Sequence, residues 1–73
     1  MKFFHLFILE TIAERKISQV EFARTVGFSE SSISLYISRN RTPSHDDLLR
    51  LIKKLYEDEE QQKQALLRCY FGR

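Results

Sequence analysis

The feature that most constrains the fold is a pair of short helical segments separated by a single glycine. Apolar residues recur at helical spacing over residues 20–26, stop at Gly27, and then resume. Ser18 and Glu21 have the spacing of a capping box, in which the serine hydroxyl accepts the N3 amide and the glutamate reaches back to the cap amide. Gly27 predicts the end of the first segment near Thr25, because a glycine tolerates the positive φ of a helix C-terminus.

A preceding helix is predicted from about Lys2 to Arg15 by apolar residues at helical spacing. Its predicted buried stripe consists of Phe4, Ile8, Leu9 and Ile12, and Phe3, Leu6 and Phe7 flank that stripe. The segment is a poor signal peptide, because its apolar run contains His5, leads into Glu10 and lacks a small-residue cleavage site.

Three further helix starts follow Gly27. Ser29 and Ser44 are predicted N-caps, the latter followed by two aspartates that complement the helix dipole. Pro43 excludes Thr42 from a helix. Asp58, with Gln61 three residues later, predicts the start of a last helix that runs to about Phe71. No strand-like alternation occurs, so the predicted fold is all-α with five short helices. The predicted buried positions of the third and fourth helices are Ile33, Tyr36, Ile37, Leu48, Leu51, Ile52 and Leu55.

Length and cysteine content limit the organisation of the chain. Seventy-three residues predict a single domain, 1–73, and a chain this small is marginally stable alone, so a dimer is expected. The single cysteine, Cys69, excludes an internal disulfide and predicts a reducing, cytoplasmic location.

Charge is concentrated in the middle of the chain. Residues 15–54 carry eight Lys or Arg and four Asp or Glu, whereas the whole chain has a net charge of only +2. This basic middle section favours a polyanionic partner. The low overall charge disfavours a nonspecific nucleoid-type binder.

The two helices around Gly27 have the features of a helix-turn-helix, over about residues 18–38. Ala23 supplies the small residue expected where the two helices touch, and the inward positions are Phe22, Val26, Phe28, Ile33 and Tyr36. The outward positions of the third helix are Ser29, Glu30, Ser31, Ser34 and Leu35. A helix fits the major groove of B-DNA, and short side chains allow its backbone to approach the base edges.

The ordered pattern over residues 4–56 resembles the phage repressor and Cro-type helix-turn-helix family, also called XRE-like. The matching residues are Ser18, Gln19, Phe22, Ala23, Gly27, Phe28, Ser29, Ile33, Ser34, Tyr36, Arg41, Thr42, Pro43 and Ser44. The resemblance implies a five-helix lambda-repressor-like DNA-binding domain. It also implies a repressor that acts as a dimer on a two-fold operator, with recognition helices about 34 Å apart.

Site residues follow from the same resemblance. Base-reading positions are implied for Glu30, Ser31, Ser34 and Leu35. Phosphate contacts are implied for Gln19 at the start of the second helix and for Asn40 and Arg41 in the following loop, where backbone amides and basic side chains grip phosphate. Arg24 and Arg39 are additional candidates for backbone contacts.

The chain departs from the family pattern at two positions. Glu30 stands where the family often has glutamine, and Arg39 replaces a common glycine. The outward face of the third helix also lacks arginine, so the strongest guanine contact is missing and modest intrinsic specificity is expected.

The terminal helices leave a second function open. Leu66, Cys69, Tyr70 and Phe71 are predicted either to complete the core or to form a dimer or partner interface. The alternative to a DNA-binding regulator is therefore a protein-interaction module on the same fold, such as an antitoxin or anti-regulator. No catalytic residues, metal site or cofactor are expected, because His5 and His45 are not at ligand spacing with Cys69 and no Gly-rich phosphate loop is present.

Overall fold

The computed structural model describes residues 1–72, which form five α-helices and no strand. The helices are α1 (Phe4–Arg15), α2 (Gln19–Val26), α3 (Glu30–Ile37), α4 (His45–Leu55) and α5 (Glu59–Phe71). The predicted all-α fold class is confirmed. The boundaries agree with the predicted ones to within one or two residues.

Side-chain caps define the starts of the central helices. The Ser18 hydroxyl accepts the Glu21 amide at 3.0 Å, and the Glu21 carboxylate accepts the Ser18 amide at 3.4 Å, which completes the capping box. Ser29 and Ser44 cap α3 and α4 in the predicted way. Asp58 precedes α5, but its side chain makes no capping hydrogen bond.

Gly27 ends α2 with a φ of +75°. The amide of Phe28 donates to the Ala23 carbonyl at 3.1 Å, so the turn closes back on the last turn of α2. A Cβ on Gly27 would have no atom within 4 Å. The requirement for glycine therefore lies in the backbone conformation and not in crowding.

Buried side chains from all five helices form one hydrophobic cluster. Helix α1 packs against α3 and α5, α2 packs against α3 and α4, and α4 packs against α5. The buried apolar residues are Phe4, Phe7, Ile8, Phe22, Ala23, Val26, Ile33, Tyr36, Leu48, Leu51, Ile52, Leu55, Ala65 and Cys69. The α4 stripe and Ala23 lie in the core as predicted, whereas Phe28 and Ile37 are only partly buried.

The predicted stripe of α1 is wrong at two positions. Leu9 is 44% exposed and Ile12 is only partly buried, whereas Phe7 and Thr11 lie in the core. The buried face is broader because α1 packs against two helices, and it is rotated toward Phe7. Thr11 tolerates burial because its hydroxyl donates to the Phe7 carbonyl at 2.7 Å.

Polar contacts that the sequence did not predict attach α5 to the rest of the molecule. Arg68 lies 3.1 Å from Glu10 in an ion pair, and its guanidinium stands over the Phe7 ring. The His45 ring nitrogen Nδ1 lies 2.7 Å from the Tyr70 hydroxyl, which joins the start of α4 to the end of α5.

Cys69, which lies between Arg68 and Tyr70 in the sequence, is fully buried, and burial raises the pKa of its thiol from 9.0 to about 12. Because the folded state favours the neutral thiol, its contribution to stability is present below pH 9 and is lost as the pH rises above that value. We expect iodoacetamide to alkylate Cys69 slowly at pH 8 in the native protein and rapidly in urea, as followed by mass spectrometry.

A Cys69→Ala variant serves as the control for the pH dependence. As the pH is raised from 8 to above 9, the free energy of unfolding of this variant should decline less than that of the wild type. Equal alkylation rates in the native and unfolded states would contradict the buried thiol.

Candidate nucleic-acid interface

The outward face of α3 carries the predicted base-reading residues. Glu30, Ser31 and Ser34 are exposed, and Leu35 is half-buried. Ile33 and Tyr36, on the opposite face, are buried and fix the rotation of the helix. The structure therefore brings the four predicted residues together on one accessible surface.

The serines near the start of α3 fall into two groups. The Ser29 hydroxyl accepts the Ser32 amide at 3.1 Å and donates to the Ser32 hydroxyl at 2.8 Å, so both side chains serve the helix start. The hydroxyls of Ser31 and Ser34 make no hydrogen bond within residues 1–72. Two free hydroxyls can donate to or accept from base edges without breaking any internal contact.

The start of α2 is suited to bind an anion. The first intrahelical hydrogen bond runs from the Phe22 amide to the Ser18 carbonyl at 3.0 Å. The amides of Gln19 and Val20 therefore lack acceptors inside the helix and lie at the positive end of its dipole. Gln19 is partly exposed, and its side-chain amide adds a further donor beside them.

The loop after α3 corrects one implication of the family resemblance. The amides of Asn40 and Arg41 both donate to the Leu35 carbonyl, at 3.0 and 3.3 Å, so neither is available to a phosphate. The Asn40 side chain donates to the Ser38 hydroxyl at 3.0 Å. Any phosphate contact made by Asn40 or Arg41 must therefore use the side chain, and the Arg41 guanidinium is exposed.

A family model described as helix-turn-helix matches residues 8–55. The chain belongs to this helix-turn-helix family, of the Cro and XRE type. The match covers the whole of α2, α3 and α4 and supports a general role as a DNA-binding transcriptional regulator. Members of this family are typically not enzymes. No match to the chain was found among the curated proteins or the solved structures. In residues 1–72 no helix combines the length and apolarity needed to cross a bilayer.

Arg39 occupies a strained position in this helix-turn-helix protein. Its φ is +65°, in the left-handed region, and its amide donates to the Tyr36 carbonyl at 3.2 Å. An arginine in this conformation costs on the order of 1 kcal/mol relative to glycine, which explains the family's preference for glycine here. The strained backbone holds an additional cationic side chain, which is exposed, at the edge of the interface.

Arg24, Arg39 and Arg41 are exposed and form no ion pair within the described part of the chain. Arg50 forms an ion pair with Asp47 at 3.3 Å and stacks over the Phe28 ring, two contacts that sequence reasoning missed. The three-residue spacing of Asp47 and Arg50 on α4 was the available signal for the ion pair. The three arginines predicted to contact phosphate are therefore not neutralised by a carboxylate within the described residues.

The predicted terminal interface is only partly accessible. Phe71 is 75% exposed, Leu66 and Tyr70 are partly buried, and Cys69 is removed from this prediction because it lies wholly inside the core. A groove of about 290 Å³ runs between α1 and α5 beside Phe71, and its lining includes Phe3, Leu6, Phe7, Glu10 and Arg68. The helix-turn-helix match ends at residue 55, so α5 lies outside the matched region.

Proposed function

We infer that the protein is a sequence-specific regulator of transcription that binds double-stranded DNA with α3 in the major groove, as a repressor of phage or mobile-element type. The observation that carries this inference is the pair of free hydroxyls, Ser31 and Ser34, on the exposed face of α3. Glu30 can accept from the amino group of cytosine, and Leu35 can contact a thymine methyl.

Backbone contacts supply most of the affinity in this proposal. The helix start at Gln19 and the exposed guanidiniums of Arg24, Arg39 and Arg41 are suited to phosphates, and Asn40 offers a side-chain amide. Occupying a promoter in this way would exclude polymerase. The protein would act in the cytoplasm, where DNA is accessible and Cys69 stays reduced, and would need neither a cofactor nor a catalytic step.

Replacing Arg41 with glutamine tests the proposed phosphate contacts. We expect affinity for duplex DNA to fall roughly tenfold, because one charge-assisted hydrogen bond to phosphate is lost. The slope of log K against log salt should become shallower by about 0.9 for each bound subunit, the value for one phosphate contact. Fluorescence anisotropy over a range of salt concentrations measures both quantities.

Lys63→Gln is the matched control, because Lys63 is exposed on α5 and the substitution removes the same charge. Its affinity and salt slope should equal those of the wild type. Binding that is independent of salt, or equal effects of the two substitutions, would refute the DNA-binding proposal.

A homodimer is the second part of the proposal, with the exposed Phe71 and the groove between α1 and α5 at the two-fold interface. Phe71→Asp is expected to shift the protein toward monomer in sedimentation equilibrium, because it places a carboxylate in an apolar contact. Val20→Asp, at another exposed apolar position, should leave the oligomeric state unchanged.

The same apolar surface supports the alternative function, a protein-interaction module such as an antitoxin or anti-regulator. This alternative predicts a protein partner whose binding is lost in Phe71→Asp, together with the absence of salt-dependent binding to duplex DNA. A wild type that remains monomeric at all concentrations would contradict the dimer.

A further inference from the structure

A small basic cleft lies between the start of α1 and the loop that joins α3 to α4. Its volume is about 90 Å³, which is roughly the volume that three water molecules occupy in the liquid and is enough for a phosphate group. Its lining carries six polar or charged side chains and no carboxylate: Lys2, His5, Tyr36, Arg39, Arg41 and Thr42. Lys2 and His5 lie outside the residues assigned above to DNA binding.

Core packing holds the two walls of the cleft together. The Phe4 ring meets the Tyr36 ring edge-on, with 5.5 Å between their centroids, and both side chains are buried. This contact places Lys2 and His5, on either side of Phe4, next to the end of α3. Pro43, which is buried, lines the opposite wall of the cleft as part of the loop between α3 and α4.

The donors of the cleft lack acceptors from the protein. Within residues 1–72 the Tyr36 hydroxyl makes no hydrogen bond, and neither Arg39 nor Arg41 forms an ion pair. Asp47 is the carboxylate that acts electrostatically on Tyr36, and it is bonded to Arg50 at 3.3 Å. The cleft is therefore lined by several donors and by no carboxylate, which is the composition of an anion site.

We propose that this cleft binds a phosphate group, and that its source is the DNA backbone flanking the bases contacted by α3. Lys2 then extends the DNA contact surface from the helix-turn-helix to the start of α1. The Tyr36 ring lies on the inward face of α3, and its hydroxyl donates to the same phosphate from the inner side of the cleft. The inference rests on the proposed function, because it assigns the bound phosphate to DNA. A free phosphate anion is the other source with the same chemistry.

Two substitutions test the cleft by anisotropy titrations with duplex DNA at several salt concentrations. Lys2→Gln should weaken binding severalfold and make the salt slope shallower by up to about 0.9 for each bound subunit, because a cation is removed from a phosphate. Tyr36→Phe keeps the buried ring and should weaken binding with the slope unchanged, because the lost donor is neutral. Lys53→Gln, on the exposed side of α4, is the charge-matched control. Lys2→Gln behaving like Lys53→Gln would overturn the proposal.

A second measurement separates this proposal from the proposed function. Amide chemical shifts are recorded while inorganic phosphate is titrated into the wild type and into Lys2→Gln. If the wild type fails to bind DNA, saturable shifts at residues 1–5 and 36–42 that disappear in Lys2→Gln would retain the phosphate site with a free anion as its source. If the wild type binds DNA but no such shifts appear and Lys2→Gln binds like Lys53→Gln, the phosphate site is overturned and the DNA function is retained.

Discussion

Phe22→Ala is expected to lower the free energy of unfolding by about 3–5 kcal/mol. Phe22 is 0% exposed and lies on α2, which packs against both α3 and α4. Truncation removes the ring and leaves a cavity at the junction of three helices. A domain of this length has a total stability of roughly 4–11 kcal/mol, so the variant loses a large fraction of it and, at the low end of that range, is partly unfolded at room temperature.

Urea denaturation followed by circular dichroism measures this loss directly. Val20→Ala is the matched control, because Val20 lies on the same helix and is 40% exposed. Its free energy of unfolding should stay within about 0.5 kcal/mol of the wild type. A Phe22→Ala variant as stable as Val20→Ala would show that the core described here is wrong.

Ser34→Glu is expected to weaken DNA binding by at least about 2 kcal/mol, or roughly thirtyfold, because like charges placed across an interface cost this much or more. Ser34 is exposed in the middle of α3, and its hydroxyl has no partner in the described chain. Glutamate also has good helix propensity, so the folded state should be retained.

Gln61→Glu provides the control for this substitution. Gln61 is exposed on α5, outside the proposed interface, and the change adds the same negative charge. Its affinity should fall by much less than that of Ser34→Glu, while thermal melts confirm that both variants are folded. Equal losses of affinity would mean that net charge, and not the position of α3, determines binding.

The sequence predicted the helix-turn-helix well because its signals are local. The capping box at Ser18 depends on residues three apart, and the positive φ of Gly27 depends on one residue. Ser29 and Ser44 cap their helices in the same local way. These features are determined before any tertiary contact forms, so pattern and spacing suffice to predict them.

The prediction errors occur where contacts between residues distant in the sequence determine which side chains are buried or paired. Leu9 has the spacing of a buried residue, but α1 turns Phe7 and Thr11 inward because it packs against both α3 and α5. Cys69 likewise lies inside the core that α1, α4 and α5 share. The pairing of Arg68 with Glu10 joins residues 58 positions apart, and no local pattern indicates it.

The loop after α3 shows a second limit of prediction from sequence. The family resemblance implied that backbone amides there bind phosphate, but the Leu35 carbonyl accepts the amides of both Asn40 and Arg41. Which donors remain free depends on the local backbone conformation, including the positive φ of Arg39. A residue-by-residue match therefore could not predict which donors of the loop are free.

The most direct test of the central claim is protection of a cysteine on α3 by DNA. Ser34→Cys introduces an exposed thiol, whereas Cys69 is buried and has a raised pKa, so the new thiol should react selectively. With added duplex DNA, we predict that iodoacetamide alkylation of Ser34→Cys slows in proportion to the bound fraction. Alkylation of Gln61→Cys should be unaffected. If Ser34→Cys reacts equally fast with and without bound DNA, α3 does not lie in the groove.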